Sequence, residues 1–71
     1  MTNTIELEIA LKRNKKTYQE LANEIGISYQ SLSLKANNKR EFKAGEIMRI
    51  QKELNLTSHE RDSIFFENKV D

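Results

Sequence analysis

Residues Thr17 to Asn38 read TYQELANEIGISYQSLSLKANN, and this stretch decides the fold. Leu21, Ala22 and Ile25 fall on one face at helical spacing, and Gly26 follows at once. A glycine there ends a helix in the left-handed conformation without a Cβ clash. Ile27 is expected to pack inward, Ser28 to cap a second helix, and Leu32 and Ala36 to form that helix's inner face. Two short helices joined this tightly cannot lie antiparallel, so the second is pushed outward. That is the geometry of a helix-turn-helix, whose second helix enters a DNA major groove. Ala22 lets the helices approach closely. Lys35 stands where such motifs usually carry an aliphatic residue, so either the second helix is rotated a little or its inner face is completed by Ala36 and the apolar stem of Lys35.

Working outward, 71 residues make one domain, 1–71, with a small core and no cysteine to staple it. The lack of cysteine is compatible with a reducing cytoplasm, which is the expected location. No apolar run approaches the roughly 20 residues of a membrane span, and no secretory leader is seen at the start. No proline and two glycines favour several short helices over a loop-rich or all-β fold. The net charge is +1, unevenly spread. Residues 1–43 carry eight Lys/Arg and five Asp/Glu (+3), and residues 44–71 carry four and six (−2). The clusters Lys12-Arg13-Lys15-Lys16 and Lys35-Lys39-Arg40-Lys43 would flank a groove-facing surface. So weak a field does not suit tight nonspecific DNA binding.

Residues 4–14 alternate like a strand at Ile5, Leu7, Ile9 and Leu11, yet Leu7 and Leu11 also fit a helix face. A lone strand would have no partner, so the segment is expected to be helix one, with Ile5 or Ile9 partly exposed. Thr17 and Glu20 form a capping box at the start of helix two, where N–H groups and Tyr18 could meet a phosphate. Helix three should run from Tyr29 to Ala36 or Asn37, ended by a left-handed Asn37-Asn38 pair. Phe42 should anchor the following loop. Helix four is expected from Glu46 to Leu54, poorly capped, and helix five over residues 58–67 behind a Thr57/Glu60 box. The tail 68–71 is expected to fray. The core should contain Leu7, Leu11, Leu21, Ile25, Ile27, Leu32, Ile47, Ile50 and Leu54. Ile64, Phe65 and Phe66 cannot all point one way, so one ring is expected to be exposed, either beside helix one or as a patch for a partner.

The only histidine, His59, has no second ligand for a metal, and no phosphate loop or nucleophile–base pair occurs. Neither an enzyme nor a cofactor is expected.

From Leu7 to Phe66 the chain resembles the Cro/CI-type helix-turn-helix regulators of temperate phages. The resemblance rests on TYQELANEIGISYQSLSLKANNKREF and, downstream, on EI, I, LNLT, ER and IFF at their spacing. It is similar above all to the small modulator-of-repression, or antirepressor, type of lactococcal phages. The resemblance implies an all-α, five-helix, lambda-repressor-like domain acting in the lysis–lysogeny switch. It also implies that base-reading positions fall on Tyr29, Gln30, Ser33 and Leu34. Gln30 can bind adenine in a bidentate way and Ser33 can reach either kind of base, whereas Leu34 suits a thymine methyl or a protein contact. The candidate contact set, for DNA or a partner, comprises Thr17 and Tyr18; Ser28, Tyr29, Gln30, Ser33, Leu34, Lys35 and Asn37; and Lys39 and Arg40. The expected partners are the N-terminal DNA-binding domain of a phage CI-type repressor, operator double-stranded DNA, or both, with a weak homodimer also allowed. A Cro-like operator binder, an antirepressor and, third, an antitoxin all fit these residues.

Overall fold

The computed structural model describes residues 1–66, which form five short α-helices and no strand. These are α1 (Thr4–Arg13), α2 (Tyr18–Ile25), α3 (Tyr29–Ala36), α4 (Ala44–Glu53) and α5 (Ser58–Phe65). The domain is thus all-α. Helix five ends at Phe65, with Phe66 as its C-cap, two residues short of the expected end at 67, and the tail 68–71 lies outside the described residues.

Helices α1, α2, α3 and α5 begin where side chains can satisfy their orphan amides. The Thr17 amide donates to Glu20 Oε1 at 2.9 Å while Glu20 N–H donates to Thr17 Oγ1 at 3.1 Å. Thr57 and Glu60 repeat this at 2.8 and 3.0 Å. Asn3 caps α1 by accepting from the Glu6 amide. Helix α4 differs from the expectation, starting at Ala44 rather than Glu46. Its start is poorly capped as expected, since no side chain before it accepts a first-turn amide, and Glu46 Oε1 satisfies only the Lys43 amide, at 2.9 Å.

Gly26 has φ +83°, and its N–H and that of Ile27 both donate to Ala22 O, at 2.9 and 3.0 Å. This closes α2 in a turn so short that α3 begins three residues later, behind the Ser28 cap. At the end of α3 it is Asn38 that turns left-handed, at φ 65°, while Asn37 stays at −100°. Lys15 and Asn55 are also left-handed, at the α1–α2 and α4–α5 connections.

Helix α2 packs on α3 and α4, and α1 packs on α5. Leu7, Leu21, Leu32, Ile50 and Leu54 are almost wholly removed from solvent at the centre, with Leu11, Ile25 and Ile47 around them. Ile27 is a correction: at the α2–α3 turn it is only partly buried and packs against the edge of the core. Leu56, Ile64 and Phe65 complete the core on the α5 side. Phe42 packs edge-on against Phe65, with ring centroids 5.2 Å apart, and so anchors the α3–α4 loop. Of the three apolar residues ending α5, Ile64 and Phe65 point inward and Phe66 is exposed.

Leu21 is fully buried where α2 meets its neighbours, so Leu21→Ala should cost about 2–5 kcal/mol through lost burial and a residual cavity. A denaturant melt showing a loss under about 1 kcal/mol would mean that the site collapses and the core does not depend on it.

Candidate interaction surface on α3

The turn geometry leaves the outer side of α3 uncovered. Tyr29 and Leu34 are 48% and 38% exposed, large fractions for apolar side chains, and Gln30 lies exposed beside Tyr29. Ser33 is half-buried. Lys39 and Arg40 follow on the exposed connection, and neither pairs with an acid among the described residues.

Lys35 is not part of this surface, although the sequence reading placed it among the contacts. It is 6% exposed, and its Nζ donates to both carboxylate oxygens of Glu46, at 2.8 and 2.6 Å. The stem does complete the inner face of α3, but the ammonium ends on α4 rather than in solvent. Burial raises the Glu46 pKa. Hydrogen bonds from Lys35 and from the Lys43 amide, together with both lysine charges, outweigh it and hold the carboxyl below the ordinary value of 4.5. Glu46 therefore does two things, accepting the Lys43 amide at the start of α4 and neutralising the buried cation.

Other candidates are tied up locally. Ser28 Oγ accepts from the Ser31 amide at 3.0 Å, and Asn37 Nδ2 donates to Ser33 O at 2.8 Å. Thr17 is exposed but spends its hydroxyl on the capping box. Tyr18 is half-buried, with a buried hydroxyl that has no hydrogen-bond partner. Burial first, and then the negative charge of nearby Glu8, push its phenol up to about 12. The ring packs against the edge of the core.

The cluster at residues 12–16 is also partly consumed. Arg13 reaches Glu60 at 3.2 Å, and Lys16 Nζ lies 2.9 Å from Glu24 and donates to Glu53 O at 3.1 Å. Of the positive charge expected to flank a groove, Arg13, Lys16 and Lys35 are engaged by acids, whereas Lys12, Lys15, Lys39, Arg40 and Lys43 are exposed and form no ion pair among the described residues. Sequence spacing finds exposed positions but does not find the acid that captures a lysine eleven residues away.

A groove of about 340 Å³ with a mixed lining lies between the N-terminus and α5, with Met1, Phe42, Phe65 and Phe66 on its walls together with Asn38, Arg40 and Glu41. Among the described residues no group of three or more His, Cys, Asp or Glu side chains is placed to hold a metal ion, and no helix is long and apolar enough to cross a membrane. Comparison with protein-family models, curated proteins and solved structures finds no match for this chain.

Lys35→Ala strands the Glu46 carboxylate against the core and should cost about 1–3 kcal/mol, with Lys35→Met costing less because its stem still fills the site. Because the Glu46 pKa is lowered by folding, its contribution is complete above the ordinary carboxylate value and is lost as pH falls through the lowered one. Glu60, lowered chiefly by the Thr57 amide, acts in the same direction. Urea melts from about pH 6 down to about pH 3 should show a smaller acid loss for Lys35→Met than for the natural chain. Equal losses would remove the Lys35–Glu46 pair as the source.

Proposed function

We propose that this chain is a helix-turn-helix regulator of the lambda-repressor-like kind that antagonises a CI-type repressor by binding its DNA-binding domain through α2 and α3. One observation carries the choice of a protein over DNA. The outward face of α3 presents Tyr29 and Leu34 with only the neutral Gln30 and Ser33 beside them, and Lys35, on the inner side, is held by Glu46. Operator affinity draws heavily on Lys and Arg contacts to phosphate, whereas protein interfaces favour tyrosine and apolar anchors inside a polar rim. Here Lys39 and Arg40 supply such a rim. In this reading the turn after Gly26 keeps the geometry of a DNA reader while the face it carries meets a protein.

The runner-up, operator binding by the chain alone, is favoured by exposed Gln30, which can pair with adenine, and by Lys39, Arg40 and Lys43 after α3, which form no ion pair among the described residues.

Calorimetric titration against the repressor's DNA-binding domain tests the first reading. Leu34→Glu would set an unpaired carboxylate in the contact and should weaken the complex by more than about 2 kcal/mol, with thermal stability unchanged. A parallel Phe66→Glu variant, altering the groove by α5, should bind like the natural chain. Unchanged affinity for Leu34→Glu, or a loss confined to Phe66→Glu, would refute α3 as the interface. In a gel shift without repressor, Gln30→Ala should matter only if the operator reading holds, costing about 1–3 kcal/mol on specific DNA.

A further inference from the structure

Helix α1 buries Leu7, Ala10 and Leu11, and its opposite side carries Ile5 and Ile9 at 70% and 51% exposure. Four residues apart, these two side chains stack on consecutive turns as one apolar stripe. The charges beside the stripe are sorted along the helix. Exposed Glu6 and Glu8 lie in its N-terminal half, and exposed Lys12 and Arg13 in its last turn. Arg13 contacts Glu60, yet its side chain remains 55% exposed, so part of the guanidinium fork is open to a second acceptor.

We propose that this face of α1 pairs antiparallel with α1 of a second copy of this chain, about a two-fold axis near Ile9. A two-fold interface must be complementary to itself. A parallel pairing would set acid against acid and base against base. The antiparallel one sets Glu6 and Glu8 of each copy against Arg13 and Lys12 of the other, at both ends of the contact. Ile9 then meets its own symmetry mate at the centre, and Ile5 lies over the alkyl stems of Lys12 and Arg13. The two helix dipoles also oppose each other. A ten-residue helix is only about 15 Å long, so the contact falls well short of the roughly 800 Å² per partner of a standard interface. The dimer is therefore weak and dependent on concentration, and salt loosens it.

The proposal requires neither DNA nor repressor, so it stands or falls apart from the function proposed above. The experiment is sedimentation equilibrium of the whole chain at low salt, from about 20 µM to about 2 mM, with amide chemical shifts followed over the same range. The expected result is a rise from the mass of one chain toward two, with shift changes centred on Ile5, Glu8, Ile9 and Lys12. Ile9→Glu, a substitution at an exposed position, should raise the dimer dissociation constant by more than about tenfold without altering the thermal melt. Glu8→Lys should also weaken the dimer, and adding Lys12→Glu to it should restore association. A one-chain mass at every concentration would overturn the proposal, as would a dimer that Ile9→Glu leaves intact. Failure of the charge swap to restore association would overturn the antiparallel arrangement.

Discussion

The attitude of α3 depends on a contact at its back, the pair between Lys35 and Glu46. Lys35 sits in the last turn of α3 and Glu46 in the first turn of α4, and both side chains are largely withdrawn from water, at 7% and 13% exposure. The same carboxylate accepts the Lys43 amide that opens α4. One side chain therefore fixes where α4 starts and how the C-terminal end of α3 is held against it. Two bonds from one ammonium to one carboxylate constrain direction in a way that apolar packing at that position would not.

The N-terminus grips the same end of α3 from the other side. Thr4 Oγ1 donates to Ala36 O at 2.6 Å. The side chain of Asn38 both accepts from the Thr2 amide and donates to Thr2 O, at 2.8 and 3.0 Å. Carbonyls left over at a helix end need such partners. Here the Ala36 carbonyl finds its partner in a segment more than thirty residues away in sequence. Because Asn3 N–H in turn donates to Ile64 O, the end of α3, the start of α1 and the end of α5 are linked in one chain of hydrogen bonds.

Much of the helical plan was legible in the sequence because its determinants are local. The Thr17/Glu20 and Thr57/Glu60 boxes, the left-handed Gly26 and the spacing of Leu21, Ile25, Leu32, Ile47 and Ile50 each act within one or two turns. What was not legible depends on partners distant along the chain. The early start of α4 needed Glu46 to reach back to Lys43, and the partial exposure of Ile27 follows from where the turn settles. The candidate site suffered most. Tyr29, Gln30 and Leu34 are exposed as their positions implied, whereas Ser28 and Asn37 are occupied by local hydrogen bonds and Lys35 by a long-range acid. A lysine in sequence counts as surface charge until the fold shows which acid it meets.

A buried ion pair is a weak reason for stability, since two desolvated charges recover little more than an apolar pair of the same volume would give. In a core as small as this one, a leucine at position 35 against an apolar residue at 46 would serve packing about as well. The physical consequence specific to the pair is electrostatic. It keeps the ammonium of Lys35 out of solvent at the end of α3, and it does so without adding net charge to the core. Lys39, Arg40 and Lys43 after α3, with Lys12 and Lys15 before α2, are exposed and form no ion pair among the described residues. Five phosphate contacts would correspond to a salt slope of about −4.5, against the six to ten contacts of a strong binder. Tyr29 and Leu34 are the large hydrophobic side chains that α3 leaves open to solvent, so the apolar area that this face could bury lies mainly in those two residues.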